Sequence, residues 1–210
     1  MKSYFVKTPL LFKYLFLNWK WSFSKKEKVI YLTFDDGPTP VVTDWVLTEL
    51  EKHKAKATFF CIGKNIFTHP EILDKIIDHG HSIGNHTNNH FNGWKADLHQ
   101  YLDNVIEANK LIPNSQPKLF RPPYGKLTLL QSTSLRKFGY KIIMWDILSA
   151  DFDNKISSQV CLENVIKNVE NGSIIVFHDS IKAQEKLQYV LPKVLEYYSE
   201  LGFKFEKIIG

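Results

Sequence analysis

Val29-Ile30-Tyr31-Leu32-Thr33-Phe34-Asp35-Asp36-Gly37-Pro38 reads as a buried strand that ends in two acids and a turn. Branched and aromatic side chains suit a pleated, covered segment, and Gly-Pro stops it. Adjacent carboxylates repel one another, so a strand that delivers both to one end implies something that uses them. A bound cation would remove the conflict. The pair therefore directs attention to the residues that follow the other strands.

Working outward, strand-like runs recur at 56–62, 81–85, 117–120, 140–146, 173–177 and 203–207. Helical stripes lie between most of them. They run through Val42, Trp45, Val46, Leu47 and Leu50; Ile72, Leu73, Ile76 and Ile77; Leu98, Leu102, Val105, Ile106 and Leu111; and Val190, Leu191, Val194, Leu195 and Tyr198. Gly80, Gly139, Gly172 and Gly202 fall at helix-to-strand joins, where a left-handed residue is favoured. Alternation of this kind predicts an α/β fold of about seven parallel strands covered by helices. Chemically capable residues follow the strands: Asp35 and Asp36, His86 and His90, Arg121 and Tyr124, Asp146 and Asp151, His178 and Asp179. Both a (β/α) barrel and an open doubly wound sheet place their sites at these carboxyl ends, so the pattern leaves closure open.

The chain has 210 residues, 44% hydrophobic and 23% charged, which suits one domain with a sizeable core. Its net charge of +5 comes from scattered lysines without a basic stripe, and no nucleic-acid partner is expected. Cys61 and Cys161 sit in apolar segments and read as buried free thiols. Residues 1–27 form an apolar, basic segment in which Lys7, Lys13 and Lys20 break every run short of a membrane span. The expectation is a segment packed on the domain, or a Trp-bearing helix whose residues 1–24 contact a membrane surface. No clear signal peptide is visible, which favours a cytoplasmic or membrane-associated location over secretion. Oligomeric state is not legible.

His86-Thr87-Asn88-Asn89-His90 places two imidazoles four residues apart, which on a helical turn would face one metal. With one carboxylate of the acidic pair they form a three-ligand set with an open position, the pattern of a catalytic metal. Thr87 stands where a metalloprotease helix carries its general-base Glu, so the base must come from elsewhere. Phe120-Arg121-Pro122-Pro123-Tyr124-Gly125 is a stiff turn in which the Tyr124 N–H is an available donor for an oxyanion; alone, it would equally be a surface turn. His178 ends a buried run, and a carboxylate from the Asp151 region would raise its pKa and make it a proton donor. His53, His69, His79, His81 and His99 read as surface or capping residues.

Taken in order, Thr33-Phe34-Asp35-Asp36-Gly37, His86-Thr87-Asn88-Asn89-His90, Arg121-Pro122-Pro123-Tyr124, Asp151-Phe152 and Val176-Phe177-His178 resemble the motifs of the NodB-homology polysaccharide deacetylases, carbohydrate esterase family 4. The resemblance covers about residues 28–207, and residues 28–210 are assigned to one NodB-homology domain. It implies a distorted (β/α) barrel and a hydrolase that removes N-acetyl groups from an acetylated glycan of the N-acetylglucosamine type. It also implies one divalent metal ion, zinc first, with cobalt, nickel, manganese or iron as alternatives. By that resemblance Asp36, His86 and His90 are metal ligands and Asp35 is the general base, paired with Arg121. The Tyr124 N–H stabilises the oxyanion, and His178 is the general acid tuned by Asp151. Pro122, Tyr124, Phe152 and Val176 contact substrate; Phe152 and Val176 replace the commoner Trp and Leu. An O-acetyl esterase, a hydrolase of non-sugar amides and an inactive glycan-binding relative remain the alternatives.

Overall fold

A computed structural model describes residues 4–209. Helix α1 (Leu10–Leu15) precedes β1 (Val29–Asp35), α2 (Val42–Lys52), β2 (Ala57–Cys61), α3 (Gly63–Thr68), α4 (Pro70–Asp78) and β3 (Ser82–Asn85). There follow α5 (Leu98–Asn109), β4 (Leu119–Phe120), α6 (Leu129–Lys137), β5 (Lys141–Ile142) and β6 (Ile147–Leu148). The order ends with α7 (Ser158–Ile166), β7 (Ile174–His178), α8 (Gln184–Glu200) and β8 (Lys204–Phe205). The sheet runs β5-β4-β3-β2-β1-β7-β6, with parallel neighbours throughout, and β8 pairs with the start of β1.

Alternation along β1 divides the molecule into an outer and an inner layer. Ile30, Leu32 and Phe34 are fully buried in one cluster with Val46 and Leu50 of α2 and Val190, Leu191 and Val194 of α8. Phe34 stacks on Phe59 and Phe177 of the flanking strands at 5.0 and 6.0 Å. Thr33 and Asp35, one residue out of phase, point to the opposite face and meet Arg121 inside the barrel. Helix starts are marked in the sequence: Asp97 and Ser157 cap α5 and α7, and Thr128 with Gln131 forms a capping box on α6. The four glycines at the predicted joins all have positive φ. Cys61 and Cys161 are buried free thiols.

Connectivity dictates closure. β5 and β6 lie at opposite ends of the strand order, yet only Ile143–Asp146 separates them. From Ile142 to Ile147 the chain reaches at most about 18 Å. A flat path of that many strands would set its edges roughly 29 Å apart, so the sheet has to curl until the edges meet. The predicted strand 140–146 is therefore one strand broken across a seam: it leaves one edge after Ile142 and joins the other at Ile147.

The segment before β1 fills that seam. The Lys20 N–H donates to Ile142 O and Met144 N–H to Lys20 O on one edge; Thr8 N–H donates to Asp146 O and Leu148 N–H to Val6 O on the other, all at 2.8 Å. These bonds satisfy edge groups that would otherwise face solvent. Asp146, expected among the strand-end residues, serves the seam instead. Its buried carboxylate takes Lys7 Nζ at 2.8 Å, Lys13 Nζ at 2.5 Å and Ser173 Oγ at 2.6 Å. Burial works to raise its pKa, but the three donors together lower it. His81, read as a surface or capping residue, is buried: its Nδ1 accepts the Ala57 N–H at 3.1 Å, and burial depresses its pKa to about 3.

Because Asp146 is the shared anchor of two lysines, Asp146→Ala is expected to cost about 2–3 kcal/mol in urea denaturation. A loss below about 0.5 kcal/mol would mean that the backbone pairing alone holds the seam.

Candidate active site

The residues of the sequence-derived site gather at one mouth of the barrel, at the carboxyl ends of the strands, with Val176 two residues deeper on β7 than His178. Asp35 closes β1, and its Oδ1 accepts a 2.7 Å hydrogen bond from Arg121 Nη1. Arg121 follows β4 and is fully buried. Its remaining donors reach Thr33 Oγ1 at 2.7 Å, Ile143 O at 3.2 Å and Met144 O at 3.0 Å, and its guanidinium lies 4.1 Å from the centre of the Phe60 ring. Burial alone would raise the Asp35 pKa. Arg121 and, further off, His86 and His178 outweigh it and bring Asp35 below the ordinary carboxylate value. Asp35 is thus a buried, oriented and ionised carboxylate.

Asp36 turns away at φ 82°. Its main-chain oxygen is held by Asn65 Nδ2 at 2.7 Å, and Gly37 N–H donates to the buried Asp179 at 3.0 Å. Gly37 has to be glycine, since a Cβ there would lie 2.0 Å from Asp179 Oδ2. Asp179 also accepts from Thr43 Oγ1 at 2.6 Å, and burial drives its pKa up to about 8. This acid, assigned no role from sequence, pins the loop that aims Asp36.

Asp36 Oδ1 lies 3.8 Å from His86 Nε2 and 3.3 Å from His90 Nε2, and the three candidate ligand atoms lie within 4.8 Å of one another. The histidines do not share a helical turn, contrary to the spacing argument. Residues 86–90 form a loop in which Thr87 and His90 have positive φ. Side-chain clamps shape it: Asn85 Oδ1 accepts Thr87 N–H and Asn104 Oδ1 accepts Asn88 N–H, each at 2.8 Å. Burial lowers both imidazoles, His86 to about 4, so they are neutral near pH 7. His86 Nδ1–H donates to Arg121 O at 2.8 Å, which leaves Nε2 as a bare lone pair facing Asp36.

The donor set passes a direct test for a cation. Asp36 Oδ1 is buried and, among the described residues, has no hydrogen-bond partner. A buried carboxylate oxygen without a donor is costly, and a divalent ion among Asp36, His86 and His90 would supply what it lacks.

The Arg121-Pro122-Pro123-Tyr124 turn forms the next wall. Pro122 and Pro123 are buried and offer no N–H. Tyr124 has φ 60°, and no backbone acceptor among the described residues meets its N–H. Gly125 follows because a Cβ would come within 2.7 Å of the Trp145 ring. From sequence Tyr124 carried a main-chain oxyanion donor and a substrate contact, with no role toward the histidines. Its phenol oxygen in addition sits 3.0 Å from His90 Nδ1, placed to fix that ring.

Opposite, Asp151 grips His178 twice. Oδ1 accepts the ring Nδ1–H and Oδ2 the main-chain N–H, each at 2.7 Å. Burial opposes the charged imidazole, but the Asp151 carboxylate overcomes it and lifts His178 to about 9. With Nδ1 engaged, Nε2 is the position that can exchange a proton. Phe152 stands edge-on to the His178 ring at 5.2 Å and to Tyr4 at 5.6 Å. Val176 lies buried two residues before His178 on the same strand face, a floor more than an exposed contact. Tyr4, whose hydroxyl donates to Asp153 Oδ2 at 2.6 Å, brings the N-terminal segment to this wall, a contact no local pattern announces. An open cleft of about 500 Å³ leads in past Asp36, His90, Pro38, Asn65, His69 and Ile181.

An ionised carboxylate, three side chains that could hold a cation and a carboxylate-paired imidazolium meet at one barrel mouth, a set of groups suited to hydrolysis. The chain belongs to the polysaccharide deacetylase family, whose model matches residues 23–143. It is 31% identical over 189 residues to a peptidoglycan-N-acetylglucosamine deacetylase of Bacillus cereus, spanning 88% of each chain. Over 161 residues it is 30% identical to a chitooligosaccharide deacetylase of Bradyrhizobium, covering 75% of this chain and 73% of that one. Among solved structures, a peptidoglycan N-acetylglucosamine deacetylase complexed with 4-naphthalen-1-yl-N-oxidanyl-benzamide superposes with a TM-score of 0.87 at 29% identity, covering 96% of this chain and 95% of that one. The protein is accordingly a hydrolase of carbon–nitrogen bonds other than peptide bonds, with the distorted (β/α) barrel of its family.

With His178 as the general acid, activity is expected to persist below its pKa and to fall as the pH rises through about 9. Asp151→Asn removes the largest opposition to burial, leaves only the weaker pull of Asp36 and Asp35, and is expected to move the alkaline limb of kcat/KM to lower pH. An unmoved limb would remove His178 from the acid role.

Proposed function

We propose that this enzyme removes N-acetyl groups from N-acetylglucosamine-type amino sugars of a polysaccharide or oligosaccharide, releasing acetate, with one divalent cation held by Asp36, His86 and His90. The observation that carries the reading is the division of labour among three couples: Asp36 with two neutral histidines, Asp35 with Arg121, and His178 with Asp151. Two histidines and one carboxylate with an open position suit zinc, and cobalt, nickel, manganese and iron are the alternatives that metal analysis distinguishes. The names of the relatives support an acetylated glycan as substrate.

When bound, the cation polarises the acetyl carbonyl and acidifies the attacking water. Asp35 accepts the water's proton as its oxygen adds to the carbonyl carbon; Arg121 keeps Asp35 ionised and fixes which oxygen faces inward. The Tyr124 N–H donates to the oxygen that becomes negative, and its rigid turn means little reorganisation at that moment. His178 Nε2–H protonates the sugar nitrogen as the carbon–nitrogen bond breaks, since an amine is too basic to leave as an anion. Asp151 stabilises the imidazolium before that transfer. Phe152 and Val176 bound the space for the acetyl methyl, and Pro122 gives that side a stiff edge.

The decisive assay measures acetate release from chito-oligosaccharides by the metal-loaded enzyme, with O-acetylated xylan oligomers alongside. His178→Ala is expected to lower N-deacetylation by about 10²–10⁴-fold and any O-deacetylation much less, because an alkoxide leaves with less help. Equal losses on both substrates, or release from the ester alone, would contradict the amide reading.

A further inference from the structure

Around α1 the segment before β1 is folded inside out. Lys7 and Lys13, which interrupt its apolar run, turn inward onto buried Asp146. The apolar residues of α1 and its C-terminal flank turn outward: Leu10, Leu11, Tyr14, Leu15 and Leu17 are 65–77% exposed, and α1 buries none of its residues. An amphipathic helix on a globular domain normally shows the reverse. The segment is also fixed in this orientation. Thr8 and Val6 bond one seam edge and Lys20 the other, while Trp19 is buried with its Nε1–H donating to Ser132 Oγ at 2.7 Å.

Charge indicates what covers this face. Beside Leu17 a depression is lined by Lys20, Arg136 and Lys141, with no carboxylate among the described lining residues. Apolar side chains next to unopposed cations complement a surface that is hydrocarbon beneath and anionic at its rim. A second copy fits poorly, since a two-fold contact through this face would set like cations against one another. Among the described residues no helix is long and apolar enough to cross a membrane, so the contact is one of lying on the surface.

We propose that α1 and its flanks form a docking surface for an anionic lipid bilayer. Leu10, Leu11, Tyr14, Leu15 and Leu17 enter the headgroup–acyl boundary while Lys20, Arg136 and Lys141 meet lipid phosphates. The Lys7 and Lys13 pairs with Asp146 stay within the protein, so no charge enters hydrocarbon.

The test is co-sedimentation of the full chain with phosphatidylglycerol–phosphatidylcholine vesicles and with pure phosphatidylcholine vesicles. The wild type is expected to bind the mixed vesicles more tightly. The Leu10→Ser, Leu11→Ser, Leu15→Ser triple variant is expected to bind about tenfold or more weakly. A Lys20→Glu, Arg136→Glu, Lys141→Glu variant is expected to lose the preference for anionic lipid. Both variants, changed only at surface positions, are expected to keep the wild-type circular dichroism and deacetylation of a soluble oligosaccharide. Failure of the wild type to bind, or undiminished binding by the serine variant, would overturn the proposal. Self-association of the wild type that the serine substitutions abolish, seen by analytical ultracentrifugation, would instead assign the face to a second copy and also overturn it.

Discussion

A guanidinium sealed inside a barrel is the constraint on which the rest of this structure depends. Arg121 carries a full charge with no access to solvent, and such a charge is tolerated only when its donors are met. They are met from two directions. Thr33 and Asp35 lie on β1, an interior strand of the sheet; Ile143 and Met144 lie in the link that crosses the seam. One side chain therefore ties the closing of the barrel to the orientation of the base. Its main-chain oxygen also holds His86 in the tautomer a metal ligand needs. Truncating one member of such a buried pair typically costs 3–5 kcal/mol, because the other charge is left stranded. Here it would also free two seam carbonyls.

Around this anchor the backbone is held in unfavourable shapes. Asp36, Thr87, His90, Tyr124 and Ala150 all have positive φ without being glycine. Each such residue costs on the order of 1–3 kcal/mol and persists only where its surroundings over-determine it. The surroundings are visible: Asp179 on the Gly37 loop, Asn85 and Asn104 on the histidine loop, consecutive prolines before Tyr124. The site is thereby set before substrate arrives, which is the condition for electrostatic stabilisation without reorganisation.

Local pattern made the central strands and the site residues legible. β1, β2 and β7 are runs buried on both faces, and the ends of β1 and β7 carry the acids and the histidine. Short strands were harder, because β4, β5 and β8 hold only two residues each and take their register from neighbours. The break between β5 and β6 was invisible, since it depends on two sheet edges meeting in space. The same limit explains the particular departures. Asp146 stood at a strand end, like a site residue, but its partners lie more than 130 positions away at Lys7 and Lys13. Arg121 alone read equally well as a surface residue, because its burial is created by Phe60 and the seam. Four-residue spacing suggested a helical turn for His86 and His90, whereas Asn104 on a different helix shapes that loop. Closure, left open by strand-end placement, follows from one short connection once the strand order is known.

In the proposed mechanism the adjacent acids have separate duties: Asp36 holds the cation and Asp35 receives the proton. Calorimetric titration of Zn²⁺ into the metal-stripped Asp35→Asn and Asp36→Asn variants tests it most directly. Asp35→Asn is expected to bind within a few-fold of the wild type while remaining inactive, and Asp36→Asn to lose about 10²-fold or more in affinity. Strong binding by Asp36→Asn together with weak binding by Asp35→Asn would reverse the two roles and contradict it.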